Sequence, residues 1–294
     1  RHTWAVEKIG GYTVLRRLGK GPSTEVFLCR NGETEVALKI FRIRNRRLRK
    51  KINKGDVELA ERLRLNFIAE GDLISRFNHP HIIAILERTC LADGTPFFVM
   101  PYHPRSLAEL MGPPEATTTL AADSPLLQRP KRALGQGLTV VILRQLLMAL
   151  AEVHRQDVVH RDVKPDNVLI DQHGSAVLCD FGVARSPFSD AAPVQRKFGA
   201  PPFISPEQSR DPAAVDARTD IYAVGIMAHL MLTGRSPDDR RPPLESNPGI
   251  GTGLAKWVMR MTEREAAKRP AAAAAALAQL DDAASGLDLS TGPT

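Results

Sequence analysis

Two carboxylates, an amide and a lysine stand in fixed order in one part of the chain. They are Asp162, Lys164 and Asn167 of His160-Arg161-Asp162-Val163-Lys164-Pro165-Asp166-Asn167, and Asp180 of Asp180-Phe181-Gly182. Carboxylate and amide oxygens suit a hard divalent cation, and a lysine beside them offsets phosphate charge. This is a site for metal and phosphate. Apolar runs flank it and are expected to be strands: Val158-Val159, Val168-Leu169-Ile170, and Ala176-Val177-Leu178 leading into Asp180.

A second phosphate signal lies near the start of the chain, at Leu18-Gly19-Lys20-Gly21-Pro22-Ser23-Thr24-Glu25-Val26. Glycines between two strands make a flap whose backbone amides can approach phosphate oxygens. Alone, such a hairpin is as readily a tight turn. It is not a dinucleotide fingerprint, since a strand rather than a helix follows, and it lacks the Gly-Lys-Ser/Thr ending of a P-loop. Further on, Phe67, Glu70, Ile74 and Phe77 are spaced by three, four and three. A helix would set Glu70 on an apolar face, where an acid either finds a partner or sits at the margin of the stripe.

The elements that must position these groups follow from patterning. Tyr12–Leu15, Val26–Cys29 and Val36–Ile40 read as strands, with Asn31-Gly32 as a hairpin turn. Ile82–Leu86 and Pro96–Met100 read as a second hairpin around Asp93-Gly94, after Asn78-His79-Pro80 ends the helix. Helical patterns dominate from Ser106 onward, and 112–137, rich in Pro, Thr, Ala and Gly, reads as a surface loop. Helices are expected at Leu138–Arg155, Asp220–Leu232, Gly253–Thr262 and Ala271–Leu280. This divides the chain into a strand-rich part, 1–101, a helical part, 102–281, and a flexible tail, 282–294.

The 294 residues, 43% hydrophobic and 25% charged, suffice for one large domain or two lobes. No uninterrupted apolar run reaches membrane-spanning length, so no membrane insertion is expected within this segment. The chain opens on Arg1 rather than Met, which leaves room for further segments, an anchor beyond Thr294 among them. Cys29, Cys90 and Cys179 lie in strand-like runs, so buried thiols in a reducing cytoplasm are expected. The net charge of +7 is concentrated: eight of the thirteen residues from Arg42 to Lys54 are Arg or Lys. That run is a solvated extension or a docking site for an acidic or phosphorylated partner. Few aromatics accompany it, so no nucleic-acid binding is expected.

Taken in order, Gly19-x-Gly21-x-x-x-x-Val26, Val36-Ala37-Leu38-Lys39, Glu70, His160-Arg161-Asp162-x-x-x-x-Asn167, Asp180-Phe181-Gly182, Pro206-Glu207, Asp220 and Arg269 resemble the eukaryotic-type protein kinases. Ser205–Gln208, Asp216–Tyr222 and Met231–Arg235 look most like the bacterial Ser/Thr branch. The resemblance spans about residues 10–280. It implies an α+β, bilobal protein-kinase-like fold and transfer of the γ-phosphoryl group of ATP to Ser or Thr hydroxyls of proteins, the chain itself included. The alternative is a pseudokinase or nucleotide-binding scaffold.

By resemblance, Lys39, oriented by Glu70, holds the ATP phosphates, with Leu18, Gly19, Lys20 and Gly21 in the flap. Val26 and Ala37 cap one face of adenine and Leu169 the other, with Met100 behind and Pro101 and His103 offering backbone groups to the base. Asn167 and Asp180 ligate Mg²⁺ (or Mn²⁺), Asp162 orients the acceptor hydroxyl and Lys164 meets the γ-phosphate. His160 and Phe181 pack with Ile74 in a column on Asp220, and Glu207 pairs with Arg269. By resemblance, bacterial relatives are often membrane-anchored receptors, or belong to secretion-system clusters, type VI among them, so forkhead-associated-domain proteins are candidate partners, as is a homodimer for autophosphorylation.

Two positions depart from the family pattern, and a third matches it without the acceptors it implies. Thr24 replaces a loop glycine, which stiffens the flap. Ala200 stands where Ser/Thr kinases carry a threonine that bonds the catalytic Asp and Lys. Arg161 suggests control by activation-loop phosphorylation, yet residues 183–198 offer only Ser186 and Ser189 as acceptors.

Overall fold

The computed structural model describes residues 8–53, 55–112, 133–184, 202–213, 215–235 and 241–287. The chain forms two compact units that part between His103 and Pro104.

The first unit contains β1 (Lys8–Ile9), β2 (Tyr12–Lys20), β3 (Thr24–Asn31), β4 (Thr34–Phe41), α1 (Arg46–Asn53), α2 (Val57–Ile74), β5 (Glu87–Cys90) and β6 (Pro96–Pro101). Its strands make one antiparallel sheet in the order β1-β2-β3-β4-β6-β5. Gly32, at φ +60°, supplies the left-handed residue that the β3–β4 turn requires.

Strand register then sorts the side chains onto two faces. Phe27, Cys29, Val36, Leu38, Ile40, Phe97 and Val99 share one face and close into a dry core with Ile9 and Tyr12. Val26, Ala37, Lys39, Phe98 and Met100 share the other. Helix α2 packs there: Phe67 stacks on Phe98 at 5.0 Å between ring centroids, and an added Cβ on Gly71 would come within 3.3 Å of the same ring.

Three expectations that bear on this unit need correction, one of them extending to Cys179 of the second. Ile82–Leu86 is not a strand; Ile82 and Ile83 are buried as loop residues, Leu86 is 58% exposed, and the partner of β6 is the polar, exposed Glu87–Cys90. An edge strand is set by backbone pairing, which apolar runs do not reveal. Cys90 on that edge is exposed and Cys179 is partly exposed, so only Cys29 is the buried thiol expected of all three. Phe77 is buried, but it lies beyond the end of α2 at Ile74.

The second unit contains β7 (Arg105–Ser106), α3 (Leu107–Met111), α4 (Gln136–Arg155), β8 (Val168–Ile170), β9 (Ala176–Leu178), α5 (Pro206–Arg210), α6 (Arg218–Thr233), α7 (Pro243–Ser246), α8 (Thr252–Met261) and α9 (Ala273–Ala283). Strands β7, β8 and β9 form a small antiparallel sheet. Val158-Val159, expected as a strand, is buried without forming one.

Helix α4 is long and apolar enough to cross a membrane by length and composition. Its Val140, Ile142, Leu143, Leu147, Leu150 and Val153 are fully buried, and it packs against α6, α9 and β9. Gly234, at φ +68°, returns its N–H to the Leu230 carbonyl at 2.8 Å and stops α6. Gly225 lets α6 meet α8, since a Cβ there would stand 2.5 Å from that of Met261. Helix α9 continues to Ala283 with Ala284 buried behind it, so residues 282–284 belong to the helical part rather than to the expected tail.

Candidate active site

The residues picked out in the sequence fall into two groups, one within each unit. In the first, β4 carries Lys39 opposite Val26 on β3 and Phe98 on β6. Asp56 caps α2 by accepting the Leu59 N–H at 3.2 Å. The turns that follow bring Glu70 over the sheet, where its Oε1 accepts Lys39 Nζ at 2.6 Å, with 10% and 5% of the two side chains exposed. The acid on the apolar stripe therefore has a partner.

The flap is a tight reversal in which the Gly21 N–H donates to the Thr24 carbonyl at 2.8 Å. A Cβ on Gly21 would lie 2.7 Å from Thr24 Oγ1, so Thr24 fills the space that a glycine would leave open. Leu18, Gly19 and Lys20 end β2, and Gly19 pairs with Val26. Val26, Ala37 and Met100 share the face that bears Lys39; Pro101 ends β6 and His103 lies two residues beyond.

In the second unit, nearly every backbone group of the stretch 160–162 has a named partner. The carboxylate of Asp220, fully buried on α6, accepts the N–H of His160 at 2.9 Å and that of Arg161 at 2.8 Å. His154, at the end of α4, meets the same carboxylate through Nε2 at 2.9 Å. Burial alone would raise the Asp220 pKa; the bond to His154 and the backbone N–H groups outweigh it and hold the pKa below the usual carboxylate value. Gln208 donates to the Arg161 carbonyl at 3.0 Å. These bonds hold Arg161 at φ +69°, a left-handed conformation that a non-glycine residue adopts at a cost.

The Asp162 N–H donates to His160 Nδ1 at 3.3 Å, so the proton of this imidazole sits on Nε2, which donates to the Cys179 carbonyl at 3.1 Å. The His160 ring meets Phe181 edge-on at 4.6 Å. The His160, Phe181 and Asp220 part of the expected column is thus assembled, and Ile74 is a buried residue of the first unit.

Asp162 Oδ2 receives Lys164 Nζ at 2.6 Å and Asn167 Nδ2 at 2.9 Å, and the same Asn167 nitrogen bonds the Asp162 carbonyl at 2.8 Å. With the amide nitrogen committed, Asn167 presents Oδ1 as its cation-binding atom. Asp180, at φ +63°, carries an exposed carboxylate one residue after the Cys179 carbonyl taken by His160. One carboxylate and one amide oxygen fit Mg²⁺, which is commonly held by one or two protein oxygens with phosphates and water completing its shell. Among the described residues no group of three or more His, Cys, Asp and Glu forms a self-sufficient metal cage. Leu169 is half-buried on β8, while Val168 and Ile170 beside it point into the core. Ser186, Ser189 and Ala200 lie outside the described residues.

A model of the protein kinase domain matches residues 12–273. The chain belongs to the protein kinase family. This kinase domain is 31% identical over 288 residues to the serine/threonine-protein kinase pkn2 of Myxococcus xanthus, covering 90% of this chain and 31% of that protein. It is 34% identical over 233 residues to the serine/threonine-protein kinase PrkC of Bacillus subtilis (strain 168), covering 78% and 31%. The crystal structure of a double mutant of the Mycobacterium tuberculosis PknI kinase domain shares its fold, with a TM-score of 0.66 at 23% identity over 96% of this chain and all of that one. The chain thus spans about a third of the length of the two curated relatives. Kinase domains act on ATP with a divalent cation.

Two positioning residues were not singled out in the sequence. His154 follows Leu147, Leu150 and Val153 on the buried stripe of α4, and a polar residue in such a stripe was the available signal. Gln208 lies within Ser205-Pro206-Glu207-Gln208, but its bond to a backbone carbonyl 47 positions away leaves no mark in composition.

Proposed function

We propose that this kinase domain transfers the γ-phosphoryl group of ATP to Ser or Thr hydroxyls of proteins, its own included, with Mg²⁺ or Mn²⁺ as the cation. The observation that carries this reading is the environment of Asp162. Lys164 and Asn167 both bond Oδ2, so the carboxylate is oriented and Oδ1 is the oxygen that takes the acceptor's proton. Bound at Asn167 and Asp180, the cation neutralises phosphate charge. Lys39, held by Glu70, pairs with the non-transferred phosphates, and Lys164 exchanges its contact with Asp162 for the γ-phosphate. When Lys164 turns to the phosphate, Asn167 still bonds Asp162 through both Oδ2 and the backbone carbonyl, so the carboxylate stays oriented.

The relatives' names supply the acceptor class, and Lys164, two residues after Asp162, is the residue that favours Ser and Thr over Tyr. Action in the cytoplasm, autophosphorylation at Ser186 or Ser189 within a homodimer, and reading of the product by forkhead-associated domains complete the proposal.

The test is incubation of the protein and its Asp162→Asn variant with labelled ATP, Mg²⁺ and a generic basic protein. Labelling by the native chain is expected, falling by about 10²–10⁴-fold in the variant. Nucleotide binding without label on either enzyme or substrate would show a scaffold instead.

A further inference from the structure

Three arginines converge on one carboxylate at the closed face of the first unit's sheet. Glu25 has 4% of its side chain exposed, and its oxygens lie 3.6 Å from Arg17 Nη1, 3.6 Å from Arg42 Nη1 and 3.3 Å from Arg44 Nε. Arg42 also stands over the Phe27 ring at 5.6 Å. Glu25 balances one of these cations and Asp93, which interacts with Arg42, offsets another, so the excess rests on the outward-facing Arg17 and Arg44 and on the helix that follows. Asp93 acts on the same group from the β5–β6 turn: the Thr95 N–H is the main cause of its lowered pKa, and Arg42 adds to it.

Helix α1 begins two residues after Arg44 and compounds the excess. Arg46, Arg47, Arg49, Lys50 and Lys51 make up five of its eight residues, and its first turn contains no acid. Cations in a first turn oppose the helix dipole. Leu48 and Ile52 are its half-buried residues, which leaves the cations in solvent. The segment does not float: the Arg42 N–H donates to the Ser23 carbonyl at 2.9 Å and the Asn45 N–H to that of Pro22 at 3.3 Å. The charges are thus assembled before any partner arrives, and a multivalent anion would relieve their mutual repulsion.

We propose that Arg17, Arg44 and the first turn of α1 form a docking site for a phosphorylated Ser or Thr on a protein segment. A phosphate monoester carries a charge of about −1.5 to −2 at pH 7, which matches the local excess where a single carboxylate would not. Arginine forks bond phosphate oxygens in pairs. Arg17 and Arg44 keep 55% and 54% of their side chains in solvent, so their outer edges face a partner while their inner edges face Glu25. Glu25, on which these arginines converge, points to the opposite face of the sheet from Lys39, so the cluster is separate from the phosphate-binding lysine of the proposed reaction.

The experiment is fluorescence anisotropy of a labelled Gly/Ser-rich peptide carrying one phosphothreonine, alongside its unphosphorylated form and its Thr→Glu form. The phosphopeptide is expected to bind at least about tenfold tighter than either, more weakly at higher salt, with about tenfold loss in Arg17→Ala/Arg44→Ala. Because that variant strips two partners from Glu25, a second, Arg46→Gln/Arg47→Gln, leaves the Glu25 pairs intact and must also weaken binding. Equal binding of the three peptides, or undiminished affinity in either variant, overturns the proposal. So does binding of phosphatidylglycerol vesicles in the absence of any phosphopeptide preference, which would assign the surface to a membrane.

Discussion

Each unit contains an ion pair with a buried cation, and the two are built differently: Glu70 is buried with Lys39, whereas Glu207 keeps 22% of its side chain in solvent. Lys39 meets Glu70 through a compact ammonium that accepts a new partner without changing shape, with Oε1 2.6 Å away. Arg269 spreads a planar fork over both oxygens of Glu207 at 2.7 Å and over the carbonyls of Glu263, Arg218 and Arg264, and its guanidinium lies 5.0 Å from the Tyr222 ring centroid. Its side chain is wholly buried. The first pair has the character of a switchable contact, the second that of a joint between the α5 region, the start of α6 and the loop before α9. The contrast separates charges kept for chemistry from charges kept for architecture.

The largest expected effect breaks the joint. Arg269→Ala leaves Glu207 without its cation and three carbonyls without their donor, and should cost about 3–5 kcal/mol in denaturant unfolding. An unchanged midpoint would remove Arg269 from the architecture.

Replacing both partners sharpens the comparison. Lys39→Met/Glu70→Leu puts apolar side chains of similar size into an apolar setting, so stability should stay within about 1 kcal/mol while phosphoryl transfer is lost. Arg269→Met/Glu207→Leu should remain destabilised by about 2 kcal/mol or more, because the carbonyls still lose their donor. Equal outcomes for the two double variants would erase the distinction drawn between the pairs.

A smaller effect concerns acid. Burial acts to raise the Glu207 pKa, but the bonds from Arg269, its own backbone N–H and Ser205 lower it from 4.5 to about 2. A depressed folded-state pKa gives stability that is present above the unfolded value and lost as pH falls through the folded one. The window is therefore about pH 4.5 down to 2. Glu207→Gln should flatten the acid limb of the stability curve there, in part only, since Asp220 is also held low and contributes in the same direction. An acid limb identical to that of the native chain would show that Arg269 does not act through the Glu207 charge.

The smallest is Gln208→Ala. It frees the Arg161 carbonyl and should cost about 1–2 kcal/mol, with a few-fold fall in turnover at unchanged KM for nucleotide. A change in KM alone would mean that the residue acts elsewhere than on this loop.

Much of the fold was legible because its main strands are short apolar runs and glycine stands at left-handed positions where elements end, as at Gly32 and Gly234. The face of α2 that bears Glu70 was readable from spacing, and its partner Lys39 from motif order. What escaped had its cause outside the local pattern. The apolar Ile82–Leu86 looked like a strand, but the exposed Glu87–Cys90 holds the edge because β6 offers its hydrogen bonds there. His154 and Gln208 serve backbone and carboxylate groups far away in sequence, and nothing in their neighbours announces the distance. Motifs gave the identities of the reacting groups; the bonds that hold them still could be seen only in three dimensions.

The amides of His160 and Arg161 belong to a loop, yet each donates to a fully buried carboxylate on α6. In deuterium exchange they should be as slow as the core of α6 itself, released when that helix opens rather than when the loop fluctuates. The lifetime of the active conformation is then the lifetime of the second unit's core, and the loop should lose its shape together with that core rather than ahead of it.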